Sequence, residues 1–492
     1  MKAVFSGVGR MARGQAWVIG PSWWQQCLPF LAVWLACSAA FSACMVPRWA
    51  AKQFGHVEFD QVLFTLWDSH GAWVGADQRT VRAFVRVCLV NPSLLAFLTL
   101  LGVTWWRPRL RRHVLVLAWL LAAISVVRDF DVPKYLVAQF GSDQFASEYV
   151  DPATVVIHAP QVKPNLLLIY VESLEKTYGN KDIFGADLLA TLRPFEVNGF
   201  QFAQIKQTPG TGWTIAGVIS SQCGIPLKIL GLWDANSQDR AFPSFLPNAT
   251  CLGDVLASNG YLNVFLNGPD LQFSGMGKFM QSHGYHEVLG KQEWLARGVS
   301  PDDVHDWGVA DDQLLRQAQH KLDDLMQQSQ PFNLTLLTID THGPDGFENR
   351  SCGPSHGFNG FGGVVRCSVT AVSRLLQHIE DRGWQSRIKV VILGDHLAMK
   401  NPVAAQLAKV SERSPYNLFY PADRPGQINQ RMAYFDFYPT ILSFMGFQLE
   451  GEKLGLGRNA LHPSGVDEPQ RWEKLEGMLH PSTRYAKLWG EQ

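Results

Sequence analysis

Residues 165–173 read NLLLIYVES, an apolar run from Leu166 to Val171 that stops at Glu172 and Ser173. A continuous run of this kind suits a strand buried on both faces of a parallel sheet. The design recurs three times, in YLNVFLNG (Tyr261–Gly268), FNLTLLTIDTH (Phe332–His342) and IKVVILGDH (Ile388–His396). Helical stretches lie between these runs, among them DDQLLRQAQHKLDDLMQQ (Asp311–Gln328) and SVTAVSRLLQHIEDR (Ser368–Arg382). Strands alternating with helices predict an α/β domain with a mostly parallel, doubly wound central sheet. There is no internal repeat and no low-complexity segment.

In such sheets ligands bind beyond the carboxyl ends of the strands. The first run ends in Glu172, the third reaches Asp340 and His342, and the fourth reaches Asp395 and His396. A single carboxylate at a strand end is ordinarily a helix cap or half of a structural ion pair. Three such ends delivering Glu, Asp and His to one edge predict a metal site instead. Glu172, Asp395 and His396 offer two carboxylates and an imidazole, a mixed hard set suited to Mn²⁺, Mg²⁺ or Zn²⁺.

A second stretch, PGTGWTIAGVISSQCGIPL (Pro209–Leu227), presents Thr214 after a glycine-flanked turn at the start of an apolar helix. Two roles fit. A threonine there satisfies an orphan backbone N–H as an N-cap, or it stands where a phosphate approaches a helix N-terminus. With Thr214 as a fourth metal ligand, coordination would stabilise its alkoxide and make it a nucleophile for phosphoryl or sulfuryl transfer. No Walker A sequence, G-x-S-x-G elbow or dinucleotide fingerprint competes with this reading.

The amino-terminal part differs in kind. No charge falls between Arg13 and Arg48, and further uncharged runs lie between Arg86 and Arg107 and between His113 and Arg128. A bilayer crossing takes roughly 20 apolar residues. The first two runs are long enough, and the third needs Arg112 and Arg128 to snorkel. Lys2, Arg10 and Arg13 precede the first run and RPRLRR (Arg107–Arg112) separates the last two, so the positive-inside rule places everything after Arg128 outside the cytoplasm. With 43 basic and 43 acidic residues, no surplus points to nucleic acid. Cys27, Cys37, Cys44 and Cys88 lie in or beside the apolar runs, where a thiol behaves as a small hydrophobe. Cys223, Cys251, Cys352 and Cys367 fall in the polar part, where two disulfides are expected in an outward-facing domain. Three connectivities are open, of which Cys223–Cys251 with Cys352–Cys367 closes the smallest loops.

In order, NLLLIYVESLEKTY, PGTGWTIAGVISSQCGIPL, LTIDTHGPDGF, LGDHLAM and LGLGRNAL resemble the phosphoglycerol transferase I family that decorates osmoregulated periplasmic glucans. More distantly they resemble lipoteichoic acid synthases and the alkaline phosphatase/sulfatase superfamily, over roughly residues 160–465. The resemblance implies metal ligation by Glu172, Thr214, Asp395 and His396, with Thr214 the covalent nucleophile and His342 a substrate contact. It also implies local pairing of the four polar-region cysteines; the ion expected is Mn²⁺, with Mg²⁺ or Zn²⁺ as alternatives. The organisation expected is a multi-pass anchor of about three helices (1–130), a connector (131–163), a periplasmic sulfatase-like catalytic domain (164–465) and a tail (466–492). The expected location is the bacterial inner membrane. The donor implied is phosphatidylglycerol and the acceptor a periplasmic glucan.

Two departures bear on the head group. Family members often read His-His-Pro where this chain has His342-Gly343-Pro344. Where lipoteichoic acid synthases carry an Arg, Met276 stands in the stretch NGPDLQFSGMGKF, whose Asn267 and Lys278 are the expected contacts. A lysine point charge does not reproduce a bidentate guanidinium. A phosphoethanolamine transferase is the rival within the superfamily. A sulfatase needs Cys or Ser in a C/S-x-P-x-R context, and Ile-Ala-Gly-Val follows Thr214 instead. A non-catalytic membrane sensor is opposed by the presence of all four ligands.

Overall fold

The computed structural model describes residues 21–55, 57, 59, 61–63, 78–106, 108–130, 132–140, 142–228, 244–348, 359–462, 469–478, 480 and 482–490. The chain forms two compact units, one of residues 1–53 and 78–133, the other of residues 54–77 and 134–492.

The first unit is helical. Its helices include α1 (Pro21–Phe54), α2 (Asn91–Trp106) and α3 (Arg111–Asp129). Among the described residues, Leu28–Phe54 and Gln78–Trp106 are long and apolar enough to cross a membrane. Burial here is inverted relative to a water-soluble core. Ala40, Ala96, Ala118 and Ala122 are buried, whereas Leu94, Leu98, Leu117, Leu121 and Ile124 are exposed. Small residues between helices and large apolar ones outside is how helices pack when the surroundings are as apolar as leucine.

The second unit is built on one eight-stranded sheet. In chain order its strands are β1 (Asn165–Val171), β2 (Phe200–Lys206), β3 (Leu262–Asn267), β4 (Glu287–Leu289), β5 (Phe332–Leu337), β6 (Ile388–Gly394), β7 (Asn417–Tyr420) and β8 (Gly426–Ala433). Across the sheet they run β4-β3-β5-β1-β6-β7-β2-β8. Only β7 runs against its neighbours, so the sheet is mostly parallel. All seven residues of β1 are buried. Leu166, Leu168 and Tyr170 enter one hydrophobic cluster and Leu167, Ile169 and Val171 the other, one on each face of the sheet. Each fully buried side chain of this size stabilises the fold by about 1.5–3 kcal/mol.

Helix α4 (Thr214–Cys223) packs into the first cluster. Helices α5 (Asp311–Met326) and α6 (Gly360–Asp381) pack into the second. The helices Pro469–Glu476 and Thr483–Leu488 also belong to the first cluster, through Trp472, Leu475, Tyr485 and Leu488. Tyr485 Oη donates to the Pro226 carbonyl at 3.0 Å, and Lys228 Nζ donates to that of Met478 at 3.0 Å. The carboxy-terminal residues therefore contribute to the core of this unit.

Cys223, the last residue of α4, is disulfide-bonded to Cys251. Cys367 also carries a disulfide. Its expected partner, Cys352, lies outside the described residues.

Candidate active site

The register of the sheet brings the first elements of the site together. Val171 of β1 pairs with Gly394 of β6. Glu172 and Asp395 therefore leave adjacent strands at one level, with His396 next. Helix α4 reaches the same edge because Gly217, which closes its first turn, has no side chain where the helix meets the sheet. A Cβ on Gly217 would lie 1.9 Å from the Asp395 carbonyl oxygen, so only glycine permits this approach.

Thr214 is the first residue of α4, and Trp213 is the N-cap, without a side-chain cap bond. The Thr214 hydroxyl turns to the cluster instead. It donates to Glu172 Oε2 at 3.1 Å and lies 3.4 Å from His396 Nε2. His396 Nε2 is in turn 3.4 Å from Glu172 Oε1 and 3.5 Å from Asp395 Oδ2. Glu172, Asp395 and His396 are all buried.

The free valences of these groups face one another. His396 Nδ1–H donates to the Leu397 carbonyl at 2.8 Å, which fixes the ring tautomer and turns Nε2 to the cluster. Asp395 Oδ1 accepts from the N–H groups of Ser173 at 2.7 Å and His396 at 2.9 Å. Asp395 Oδ2 is buried without a hydrogen-bond partner. Ser173 Oγ donates to Glu172 Oε1 at 2.7 Å. An orphaned carboxylate oxygen, a lone-pair nitrogen, a second carboxylate and a hydroxyl converge, and this donor set fits a small divalent cation.

The electrostatics agree. Burial works against charge on Glu172, but the charge and hydrogen bond of His396 outweigh it and hold that carboxyl below its usual range. Burial and the Glu172 charge push Asp395 up. Burial also opposes the His396 imidazolium, yet the charges of Asp395 and Glu172 raise it. A small cation placed among these groups would favour the charged form of both carboxylates.

His342 lies beside this cluster, near enough for the charges of Glu172 and His396 to act on it. Burial depresses its basicity, and Nδ1–H donates to the Gly343 carbonyl at 2.7 Å, which leaves Nε2 available. The Trp307 ring lies 4.1 Å from that of His342, with Phe273 at 6.5 Å. Phe273 opens a single 3-10 turn and Trp307 stands in a loop, and no sequence signal marks either. Asn267 is fully buried, with Nδ2 donating to the Pro269 carbonyl at 3.1 Å and Oδ1 without a hydrogen-bond partner. Met276 is buried, while Lys278 is exposed on the short helix Met276–Ser282.

Asp340, which also reaches the strand edge, serves a different purpose. Its Oδ1 accepts from His305 Nε2 at 3.0 Å and its Oδ2 from the Asp311 N–H at 3.1 Å. His305 Nδ1 accepts from the Trp307 N–H at 3.3 Å, so this network orients the loop that carries Trp307. A second grouping, Cys251, Asp254 and His283, has ligand atoms close together. It does not suit a metal, because the Cys251 sulfur is in a disulfide and His283 bridges Asp254 and the Phe245 carbonyl.

Comparisons with known proteins agree with this architecture. The family model described as Sulfatase matches residues 164–447. The chain is similar to phosphoglycerol transferase I of Salmonella arizonae (strain ATCC BAA-731 / CDC346-86 / RSK2980), 32% identical over 483 residues, covering 92% of this chain and 59% of that protein. It is similar to the protein of that name from Escherichia coli (strain 55989 / EAEC), at 32% over 481 residues with the same shares covered. The chain thus spans 59% of the length of these curated relatives. Among solved structures it is similar to the lipoteichoic acid synthase LtaP from Listeria monocytogenes, with TM-score 0.52 and 16% identity, covering 69% of this chain and 96% of that one. That likeness is one of fold.

Proposed function

This chain belongs to the sulfatase family, and on that premise we propose that it transfers phosphoglycerol from phosphatidylglycerol to hydroxyl groups of periplasmic glucans. The observation that carries the reading is the Thr214 hydroxyl, 3.1 Å from Glu172 Oε2 and 3.4 Å from His396 Nε2 at a helix N-terminus. The named similarity to phosphoglycerol transferases supports the choice of transferred group.

Glu172, Thr214, Asp395 and His396 are the residues that would hold the cation, which we assign as Mn²⁺. When bound, it supplies the positive charge that stabilises a threonine alkoxide at neutral pH. In the first half-reaction Thr214 Oγ1 bonds to phosphorus and the P–O bond to diacylglycerol breaks. The Thr214 proton is lost and the departing alkoxide gains one, leaving a phosphoglycerol-threonine. In the second, an acceptor hydroxyl bonds to phosphorus, the bond to Thr214 breaks, and the acceptor's proton restores the threonine hydroxyl. First-turn N–H groups of α4 have no intrahelical acceptor and attract the phosphoryl oxygens. His342, kept neutral by burial, is the substrate contact. Lys278 meets the head group, and Asn267 contributes through the unpartnered Oδ1. The apolar helices of the first unit would hold the enzyme in the bacterial inner membrane, with the second unit in the periplasm beside its lipid donor.

The test uses the purified full chain with Mn²⁺ and head-group-labelled phosphatidylglycerol or phosphatidylethanolamine, without acceptor. Glycerol label on the peptide containing Thr214 is expected. Labelling from phosphatidylethanolamine alone would reassign the transferred group, and an adduct on another residue would remove Thr214 as nucleophile.

A further inference from the structure

Ser173 follows the last residue of β1 by two positions and has φ 53°, in the left-handed region. For a residue with a Cβ this costs roughly 1–2 kcal/mol, which glycine avoids. The serine is nearly inaccessible to solvent, at 3% exposure. Its two polar groups divide between two carboxylates: N–H donates to Asp395 Oδ1 at 2.7 Å, and Oγ–H donates to Glu172 Oε1 at 2.7 Å. In each carboxylate one oxygen is thereby occupied. The oxygens left are Glu172 Oε2, beside the Thr214 hydroxyl, and the unpartnered Asp395 Oδ2.

The number of oxygens a carboxylate offers governs which cation it suits. Ca²⁺ takes six to eight oxygen ligands and commonly engages a carboxylate through both oxygens. Small transition-metal ions accept fewer, mixed oxygen and nitrogen ligands. We propose that Ser173 is a positioning residue whose hydroxyl, by holding Glu172 Oε1, presents Oε2 alone to the cluster and thereby makes it select a small divalent cation over Ca²⁺, Asp395 Oδ1 being held by the backbone N–H groups of Ser173 and His396. The inference rests on the reading of Glu172, Thr214, Asp395 and His396 as a cation site. Ser173 acts through the ligands and touches neither cation nor substrate.

Two substitutions isolate the hydroxyl. Ser173→Gly keeps the backbone N–H on Asp395 and relieves the left-handed strain, so it folds at least as well as the native chain. Ser173→Ala keeps the N–H and the strain. Affinities for Mn²⁺ and for Ca²⁺ are measured by titration calorimetry on the full chain in detergent at pH 7, alongside thermal midpoints in chelator. Native protein should prefer Mn²⁺. Both variants should bind Mn²⁺ roughly 10–100-fold more weakly, as when a partner orienting a metal ligand is lost. Ca²⁺ binding should stay level or strengthen, so the selectivity ratio falls at least tenfold. If native protein binds Mn²⁺ and both variants keep the same ratio, the role of Ser173 is overturned and the cation site stands. If native protein binds neither ion, the cation reading falls and takes this inference with it. A merely structural serine would shift the thermal midpoints and leave the ratio alone.

Discussion

Two hydroxyls approach the Glu172 carboxylate, Ser173 on Oε1 and Thr214 on Oε2. Only the second has an exposed route to a substrate, since Thr214 is partly accessible and Ser173 is buried. Thr214→Val preserves the shape of the side chain and removes the hydroxyl. No N-cap is lost, because Trp213 occupies that position. The cost should be about 1.5–3 kcal/mol, the worth of one hydrogen bond to a charged acceptor. The variant should fold, melt within a few degrees of the native protein and yield no covalent phosphoglycerol adduct by mass spectrometry. Thr214→Ser should keep measurable adduct formation. Glu172, Asp395 and His396 were legible as a set because strand ends in parallel sheets gather polar groups. Ser173 was not, since its backbone angle leaves no mark on composition. Trp307 and Phe273 owe their place to loop geometry rather than to any repeat.

Among the elements, α4 is the one whose placement matters most. Gly217→Ala puts a methyl group against the Asp395 carbonyl oxygen, at 1.9 Å before relaxation. Overpacking of this severity costs typically 1–3 kcal/mol or more. The variant should show a lowered thermal midpoint, and its Mn²⁺ affinity should fall because Thr214 is carried away from Asp395 and His396. The α5 terminus makes a pH prediction. Burial and the neighbouring Asp340 charge push Asp311 up to about 8. An aspartate in an unfolded chain titrates near about 3.9. The folded form therefore keeps a proton that the unfolded form gives up, and this group's contribution to stability falls as pH rises from about 4 to about 8. Asp311→Asn can still accept the Ile339 and Asp340 N–H groups, which Oδ1 takes at 2.7 and 3.0 Å. It should gain stability over the native chain at pH 8 relative to pH 5, read as the difference in urea midpoints. A difference that does not change with pH would refute the assignment. At this scale β1, β3, β5 and β6 were readable from runs rich in apolar residues. Strands β2 (FQFAQIK) and β8 (GQINQRMA) carry polar residues throughout, and β7 has only four residues, so neither period nor length announced them.

For the whole molecule, the sequence predicts an apolar helical part followed by an α/β unit, and the helical unit is held by small buried residues of α1, α2 and α3, among them Cys37, Ala40, Ala96, Ala118 and Ala122. The strand order was beyond reach, because β2 and β8 pair across more than 200 residues without any local signal. The packing of Trp472 and Tyr485 into the core was hidden for the same reason, as the sequence placed a boundary at residue 465. A reporter that works only in the periplasm, fused after Phe130, should be active; activity of a cytoplasmic reporter at that point would invert the orientation. One feature of the second unit governs how the enzyme fails. Glu172 and Asp395 each follow directly the last residue of a central strand, and those two residues, Val171 and Gly394, are paired. No hinge separates these two carboxylates from the ladder, so loosening them requires breaking the sheet. Heat should find no intermediate in which the fold persists and the chemistry is gone: loss of turnover and loss of near-ultraviolet dichroism should follow a single curve. The catalytic edge has no melting temperature of its own.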